Sequence, residues 1–325
     1  PWWNPFVFGG QPQVADPQSM IFSPPFLALA LVNGSPSLRA VDATVLASMW
    51  LGGLGLILWF RDRGWHWGGA VIAALAFAFG AAMAWRIQHP GQVLSMAYWP
   101  WALLLTERAV LRGSLWSGLG AGLFGAAIVL GRDQVALLAL YILAARVVWL
   151  WLEAERPGAA VRRSLLPLGL GGLVAGLLVA VPVLMTVVLA GESNRPVIDF
   201  EGAGRGSLHP ALLMTLVAPQ LFGASGHMAE FWGPPSFAWQ GTGLYIAQNM
   251  GEMYVGALPL LLVAAALLTG RLWAREIRFF TLALAFVLLY ALGWYTPAFR
   301  AMYELLPGVN LYRRPADAVF EIGRN

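Results

Sequence analysis

The chain has 325 residues, 59% of them hydrophobic and 11% charged, with a mean hydropathy of +0.67, a composition far from the average of soluble domains. All 20 basic residues are arginine, and the net charge of +4 and pI of 9.8 come from arginines between apolar runs, so the basic balance is no sign of a nucleic-acid partner. Cysteine is absent, which excludes a disulfide framework and a thiolate metal site.

Residues 1–25 read as a loop rich in Pro and Gly, with Asn4-Pro5, Gly9-Gly10, Gln11-Pro12, Asp16-Pro17 and Pro24-Pro25. Each X-Pro pair disfavours helix at the residue before it. The aromatics Trp2, Trp3, Phe6, Phe8, Phe22 and Phe26 suit a loop lying at a bilayer interface. Stretch 26–32 is too short to cross and is expected to form an interfacial helix. Eight spans are expected next, at 40–60, 67–85, 93–106, 114–131, 134–152, 164–191, 253–270 and 279–299. Trp99-Pro100-Trp101 predicts a kink or break in the third. The small residues Gly118, Gly120, Gly122 and Gly125, and Gly169, Gly171, Gly172 and Gly176, predict close helix contacts. Segment 192–252 starts polar and carries an apolar stretch at 211–221, expected as a re-entrant or interfacial helix. At the far end, 315–322 reads as a helix that stops before it could cross anything. Pro1 opens inside a loop motif without an initiator Met, so the chain is expected to be an interior fragment, cut at both ends, with a span preceding it.

The arginines sort onto alternate loops. Arg61, Arg63, Arg108, Arg112, Arg146, Arg156, Arg162, Arg163, Arg271, Arg275 and Arg278 fall on one side, and only Arg86 and Arg132 fall in the short loops of the other. The positive-inside rule puts the arginine-rich side in the cytoplasm. The expectation is an all-α polytopic membrane protein of about eight transmembrane helices, forming one domain over 1–325. Its parts are a first extracytoplasmic loop at 1–37, six transmembrane helices in 38–191, a large extracytoplasmic loop at 192–252, two transmembrane helices in 253–299, and an extracytoplasmic segment with the start of a further helix at 300–325.

No phosphate loop, zinc helix or GxSxG elbow occurs. The informative residues are polar ones at the outer ends of spans: Arg86, Gln88 and His89; Arg132, Asp133 and Gln134; Glu192, Asn194, Arg195, Asp199, Glu201 and Arg205; and Arg313 with Arg314. Arginines on a translocated side run against the topological bias, and binding an anionic headgroup is one way to hold them there. Snorkelling to lipid headgroups is the other. Arg313-Arg314 stands before Pro315, a residue suited to a first helical turn, which would set two guanidinium groups beside the free amides of a helix start. His89, between Arg86 and Pro90, is a candidate proton acceptor as well as a plain polar interface residue. Asp16 is the only acid of the first loop, and before Pro17 it also suits turn initiation.

Several segments resemble a known family. Trp3-Asn4-Pro5-Phe6-Val7-Phe8-Gly9-Gly10-Gln11-Pro12, Ala15-Asp16-Pro17-Gln18-Ser19 and Phe22-Ser23-Pro24-Pro25 look like the first outer loop of the YfhO-type bacterial membrane proteins, which belong with the GT-C glycosyltransferases. The resemblance continues at His89 with Trp99-Pro100, at Ser193-Asn194-Arg195, at Ala218-Pro219-Gln220-Leu221-Phe222-Gly223 and at Glu252-Met253-Tyr254-Val255-Gly256. It ends on Pro307-Gly308-Val309-Asn310-Leu311-Tyr312-Arg313-Arg314-Pro315-Ala316. It implies a GT-C-like enzyme in the bacterial cytoplasmic membrane with its active site facing outside. Such an enzyme transfers a sugar from a polyprenyl-phosphate donor to an envelope glycan or polymer acceptor. On that resemblance His89 and Asp16 are the catalytic candidates, and Asn4, Arg86, Gln88, Asp133, Arg195, Glu252, Arg313 and Arg314 are the substrate-binding ones.

The family's principal acid, close after the first span, would lie upstream of Pro1. Relatives outside this family often carry an acidic pair in the loop where this chain has Arg86-Ile87-Gln88-His89, and Gly131-Arg132-Asp133-Gln134 departs from the Gly-His-Pro-Gln type expected of the family. Those departures leave open whether a divalent metal takes part. Sugar transfer expels a phosphate, which guanidinium groups would stabilise. A lipid or glycolipid flippase is the rival reading, although it favours ionisable groups at the midplane and related halves. A non-catalytic envelope scaffold is the third.

Overall fold

The computed structural model describes residues 3–6, 9–16, 19–131, 134–192, 198–223, 232–234 and 251–319. Among them the chain is helical; its single β-type pairing is an isolated bridge between Asn4 and Gln11. It folds into two compact units, one of Pro1–Trp67 and His89–Pro196, the other of Gly68–Gln88 and Val197–Asn325.

The first unit contains α1 (Pro24–Val32), α2 (Leu38–Asp62), α5 (Pro90–Arg112), α6 (Leu115–Val129), α7 (Gln134–Glu153) and α8 (Pro157–Glu192). Helix α5 is its axis. It packs against α2, α6, α7 and α8 and buries 15 of its 23 residues, among them Leu94, Met96, Trp99 and Leu103. Pro100 sits inside α5, and the helix runs through it unbroken, contrary to the expected break. Neighbours on every side fix its path more strongly than the one lost N–H disturbs it.

Helix α8 is the opposite case. Between Arg163 and Glu192 it is apolar all round, and it buries only Ala160, Ser164, Pro167, Gly171 and Pro182 of its 36 residues, leaving a row from Leu165 and Leu166 to Val187 and Val188 exposed. A helix with no polar face needs an apolar surrounding. At about 1.5 Å per residue it is also longer than the ~30 Å hydrocarbon core of a bilayer.

Where α8 meets α6 the glycines have distinct roles. A Cβ on Gly118 would collide with the backbone of Pro167, and one on Gly122 with the backbone of Gly171. Gly120 lies against Leu105, whereas Gly125, Gly169, Gly172 and Gly176 have open space at that position. Only part of the expected small-residue stripe is therefore a contact.

The second unit contains α3 (Trp67–Phe79, from Gly68 on), α4 (Ala81–Arg86), α9 (Phe200–Gly204), α10 (Ala257–Leu268), α11 (Arg278–Leu292) and α12 (Ala298–Leu305), with several single 3-10 turns. The expected helix over 211–221 is a seven-residue 3-10 helix at Pro210–Leu216, capped by His209 Nδ1, which accepts from the Ala211 amide at 3.1 Å. Helix α11 packs against α12 and the 3-10 turn Pro315–Ala318. That turn stands where a helix over 315–322 was expected; 320–322 lie outside the described residues.

Among the described residues, five helical stretches are long and apolar enough to cross a membrane: Leu38–Asp62, Trp67–Arg86, Gln134–Glu153, Pro157–Glu192 and Arg278–Tyr295. The other three expected spans are helical too. Helix α5 has the length but carries Thr106-Glu107-Arg108 and a low apolar content, while α6 and α10 have only 15 and 12 residues.

Candidate functional site

The first unit holds Asn4, Asp16 and His89. Loop 1 closes on itself: Asn4 and Gln11 exchange backbone hydrogen bonds at 2.9 Å each, the Asn4 side-chain oxygen accepts from the Phe6 amide at 3.0 Å, and its Nδ2 donates to Gln13 at 3.2 Å. Both ends of the Asn4 amide thus serve the loop. Asp16 accepts from Gln11 Nε2 at 3.5 Å, and its backbone carbonyl from Ser19. His89 occupies the N-cap position of α5, where its carbonyl takes the Gln92 and Val93 amides and its half-buried ring makes no capping bond.

The same unit contains a charged centre absent from the sequence reading. Glu107 on α5 accepts from Arg63 through Nη2 at 2.5 Å and Nε at 3.0 Å, from Arg146 Nε at 2.7 Å and from Trp59 Nε1 at 2.8 Å. Arg146, expected in a cytoplasmic loop, is instead buried within α7. Asp62 beside it holds Arg108 at 2.5 Å and Arg112 at 2.9 Å. The donors to Glu107 are Trp59 of α2, Arg63 at the C-cap of α2 and Arg146 of α7, so the centre clamps α2, α5 and α7 together.

The second unit holds Arg86, Gln88, Glu252, Arg313 and Arg314; Asp133 and Arg195 lie outside the described residues. Arg86 is neither a snorkelling arginine nor on an open loop. It is 3% exposed, and its Nη2 donates to Asp317 Oδ1 at 2.7 Å. A buried guanidinium needs an acid, and the tail supplies it. Gln88 is exposed.

The expected helix start at Pro315 is also different. The turn has four residues, Pro315 has no amide hydrogen, the Ala316 amide donates to the Gly206 carbonyl at 3.2 Å and the Asp317 amide to the Arg314 carbonyl at 2.9 Å. No bundle of free amides faces outward there. The tail instead pairs with an earlier segment: the Arg314 amide donates to the Arg205 carbonyl at 2.8 Å, which sets the backbone of Arg205 beside that of Arg314, the chain neighbour of Arg313. Arg205 and Arg313 are exposed and Arg314 is half-buried. Arg314 adopts the left-handed conformation with φ 66°, rare for a side chain of its size, and Gly206 opposite has φ 78°. A Cβ on Gly206 would lie 3.1 Å from Arg314 Cγ, so the glycine makes room for the arginine stem. Ser207 secures the same segment, accepting from the Trp294 amide at 3.0 Å and donating to the Gly204 carbonyl at 2.6 Å.

Glu252 lies farther along the same unit and is 5% exposed. Its Oε2 accepts from the Gln220 amide at 3.3 Å. Burial pushes its carboxyl above the usual glutamate range, and the Gln220 amide offsets only part of that. The described residues include no group of three His, Asp or Glu side chains placed to hold a metal ion, so they do not supply the donor set a divalent ion would need.

Arg205, Glu107 and Asp317 are the site and clamp residues that the sequence reading passed over or left unassigned. Asp317 follows Arg314 by three residues inside the most distinctive tail motif, and Glu107 is an acid at the end of an apolar run, which is the signal each offered. No family model, curated protein or solved structure matches the chain, so the site stands on its own geometry.

Proposed function

We propose that this chain is the membrane core of a GT-C-type glycosyltransferase that takes a sugar from a polyprenyl-phosphate donor and passes it to an envelope acceptor on the extracytoplasmic face of a bacterial cytoplasmic membrane. The observation that supports the reading best is the backbone juxtaposition of Arg205 with the Arg313-Arg314 pair in the second unit, through the Arg314–Arg205 bond, with Arg205 and Arg313 exposed. The buried Arg86–Asp317 pair fixes the turn that follows these arginines. Guanidinium groups suit phosphate oxygens in charge and in shape, and would stabilise the charge that develops on a departing lipid phosphate. The resemblance of the first loop and the Arg-Arg-Pro-Ala tail to the YfhO-type proteins supports the same chemistry, and the exposed apolar surface of α8 suits an enzyme that draws a lipid-borne donor from the bilayer.

The test is transfer of labelled sugar from a polyprenyl-phosphate donor by the purified full-length protein. Loss of one charge-assisted contact, worth about 1.5–3 kcal/mol, should lower kcat/KM for the donor about tenfold or more in Arg205→Ala, Arg313→Ala and Arg314→Ala, with normal expression. Unchanged transfer in all three removes these arginines from the site. Movement of lipid across vesicles with no transfer by the wild type favours the flippase. The sidedness is tested separately: the chain has no cysteine of its own, so single cysteines at the exposed Glu201 and Arg271 should be labelled from opposite faces. Labelling from one face would remove the span at 253–270.

A further inference from the structure

In the second unit the acids among the described residues are accounted for one by one. Asp317 receives Arg86, Asp199 caps α9 through the Gly202 amide at 2.7 Å, Glu304 pairs with Arg300 at 3.1 Å, Glu201 is exposed, and Glu276 stands among the arginines Arg271, Arg275 and Arg278. Glu252 is different. It is 95% removed from solvent, and among the described residues no cation pairs with it and nothing donates to its Oε1.

Its backbone is unusually fixed. The Thr215 hydroxyl donates to the Gly251 carbonyl at 2.5 Å and accepts from the Met253 amide at 3.2 Å, so one side chain pins the residues on both sides of Glu252. The following residue, Tyr254, gives its carbonyl to the Ala81 amide at 2.8 Å. Gln220, which supplies the one hydrogen bond to the carboxylate, has φ 58°, a left-handed conformation that a glutamine adopts at a cost. Arg314 shares that conformation, and segment 198–223 carries both Arg205 and the Thr215 and Gln220 anchors.

We propose that Glu252 is the proton acceptor of the sugar transfer: its Oε1 takes the proton of the acceptor hydroxyl. The assignment rests on the glycosyltransferase reading. As the proton moves to Oε1, the acceptor oxygen bonds to the anomeric carbon. The bond from that carbon to the phosphate oxygen breaks, and the polyprenyl phosphate leaves with the electron pair. The carboxylate becomes a carboxylic acid, so charge and atoms balance. The Gln220 amide meets the Glu252 carboxylate while the Thr215 hydroxyl holds the backbone on either side of it, neither titrates in the working range, and no charged side chain of the described residues shifts it. Burial therefore sets the direction of its basicity, with the Gln220 amide opposing it in part, and that direction improves a base working near neutral pH.

The experiment uses full-length protein in detergent and two readouts. The first is the infrared carbonyl band of protonated carboxyl groups followed against pH; wild type should show a band titrating above the usual glutamate range, absent from Glu252→Gln. The second is labelled-sugar transfer against pH. Glu252→Gln should lose about 100-fold or more in kcat, the usual scale of a general base, with donor KM changed less than about threefold. The acidic limb of the kcat profile should vanish. Glu252→Asp should recover part of the rate with a displaced limb. If the wild type transfers sugar and Glu252→Gln keeps its rate and acidic limb, the role of Glu252 is overturned and the glycosyltransferase reading stands. If the wild type transfers no sugar, both fall.

Discussion

Replacing Glu107 by alanine should be among the most damaging single changes in the first unit. The carboxylate carries four hydrogen bonds, three from guanidinium groups of Arg63 and Arg146 and one from Trp59. Its removal strands two cations of unequal exposure. The Arg146 side chain is 3% exposed and has little access to water, while that of Arg63 is 19% exposed and can recover part of its solvation. Breaking a buried pair by removing one partner costs about 3–5 kcal/mol, and the burial of Arg146 places Glu107→Ala in that range.

The neighbouring pair provides the control. In Asp62–Arg112 the arginine side chain is 57% exposed, and Arg112→Ala should cost no more than about 1 kcal/mol. Arg146→Met should be milder than Glu107→Ala, because Arg63 and Trp59 still satisfy the carboxylate that remains. Reversible unfolding in mixed micelles, with the wild type and the three variants side by side, measures all of this. A Glu107→Ala protein no less stable than Arg112→Ala would refute the claim that this carboxylate holds α2, α5 and α7 together.

Three further outcomes follow from the packing and the charges. Gly118→Val and Gly122→Val should each lose about 1–3 kcal/mol or more through overpacking, since the added carbon meets the backbone of α8, while Gly125→Ala should unfold with the wild type; equal effects at 118 and 125 would contradict the α6–α8 contact. Arg86→Ala should destabilise the second unit by about 3 kcal/mol or more, leaving Asp317 buried without its cation, and Arg86→Met combined with Asp317→Leu should recover much of that loss in a double-mutant cycle. For Glu252 the native pKa lies above the unfolded one, so its contribution is fully present below the ordinary glutamate value of 4.5 and is lost as pH rises through the native value. Glu252→Gln should then be the more stable protein at neutral pH, with the difference closing as pH falls, and a flat or reversed difference in unfolding midpoints would contradict the burial assigned to it.

The sequence by itself determined the class of protein and the places of most helices. Runs such as 164–191 and 279–299 have no alternative to helix in an apolar surrounding, because every backbone polar group must find its partner within the segment. Ser37 and Ser114 cap α2 and α6 in the structure by accepting the amides of Ala40 and Ser117, bonds made within one turn of the chain. What only the tertiary structure decided is which polar residues work alone and which are paired. Arg86 reads as an outer-loop arginine until Asp317 arrives from the far end of the chain, and Arg146 reads as a loop charge until Glu107 receives it inside α7. Arg205 gained its place only through the carbonyl that accepts the Arg314 amide. The reason is physical: helix formation depends on local backbone bonds and the polarity of the surroundings, whereas the state of a buried charge depends on a partner that sequence distance does not reveal.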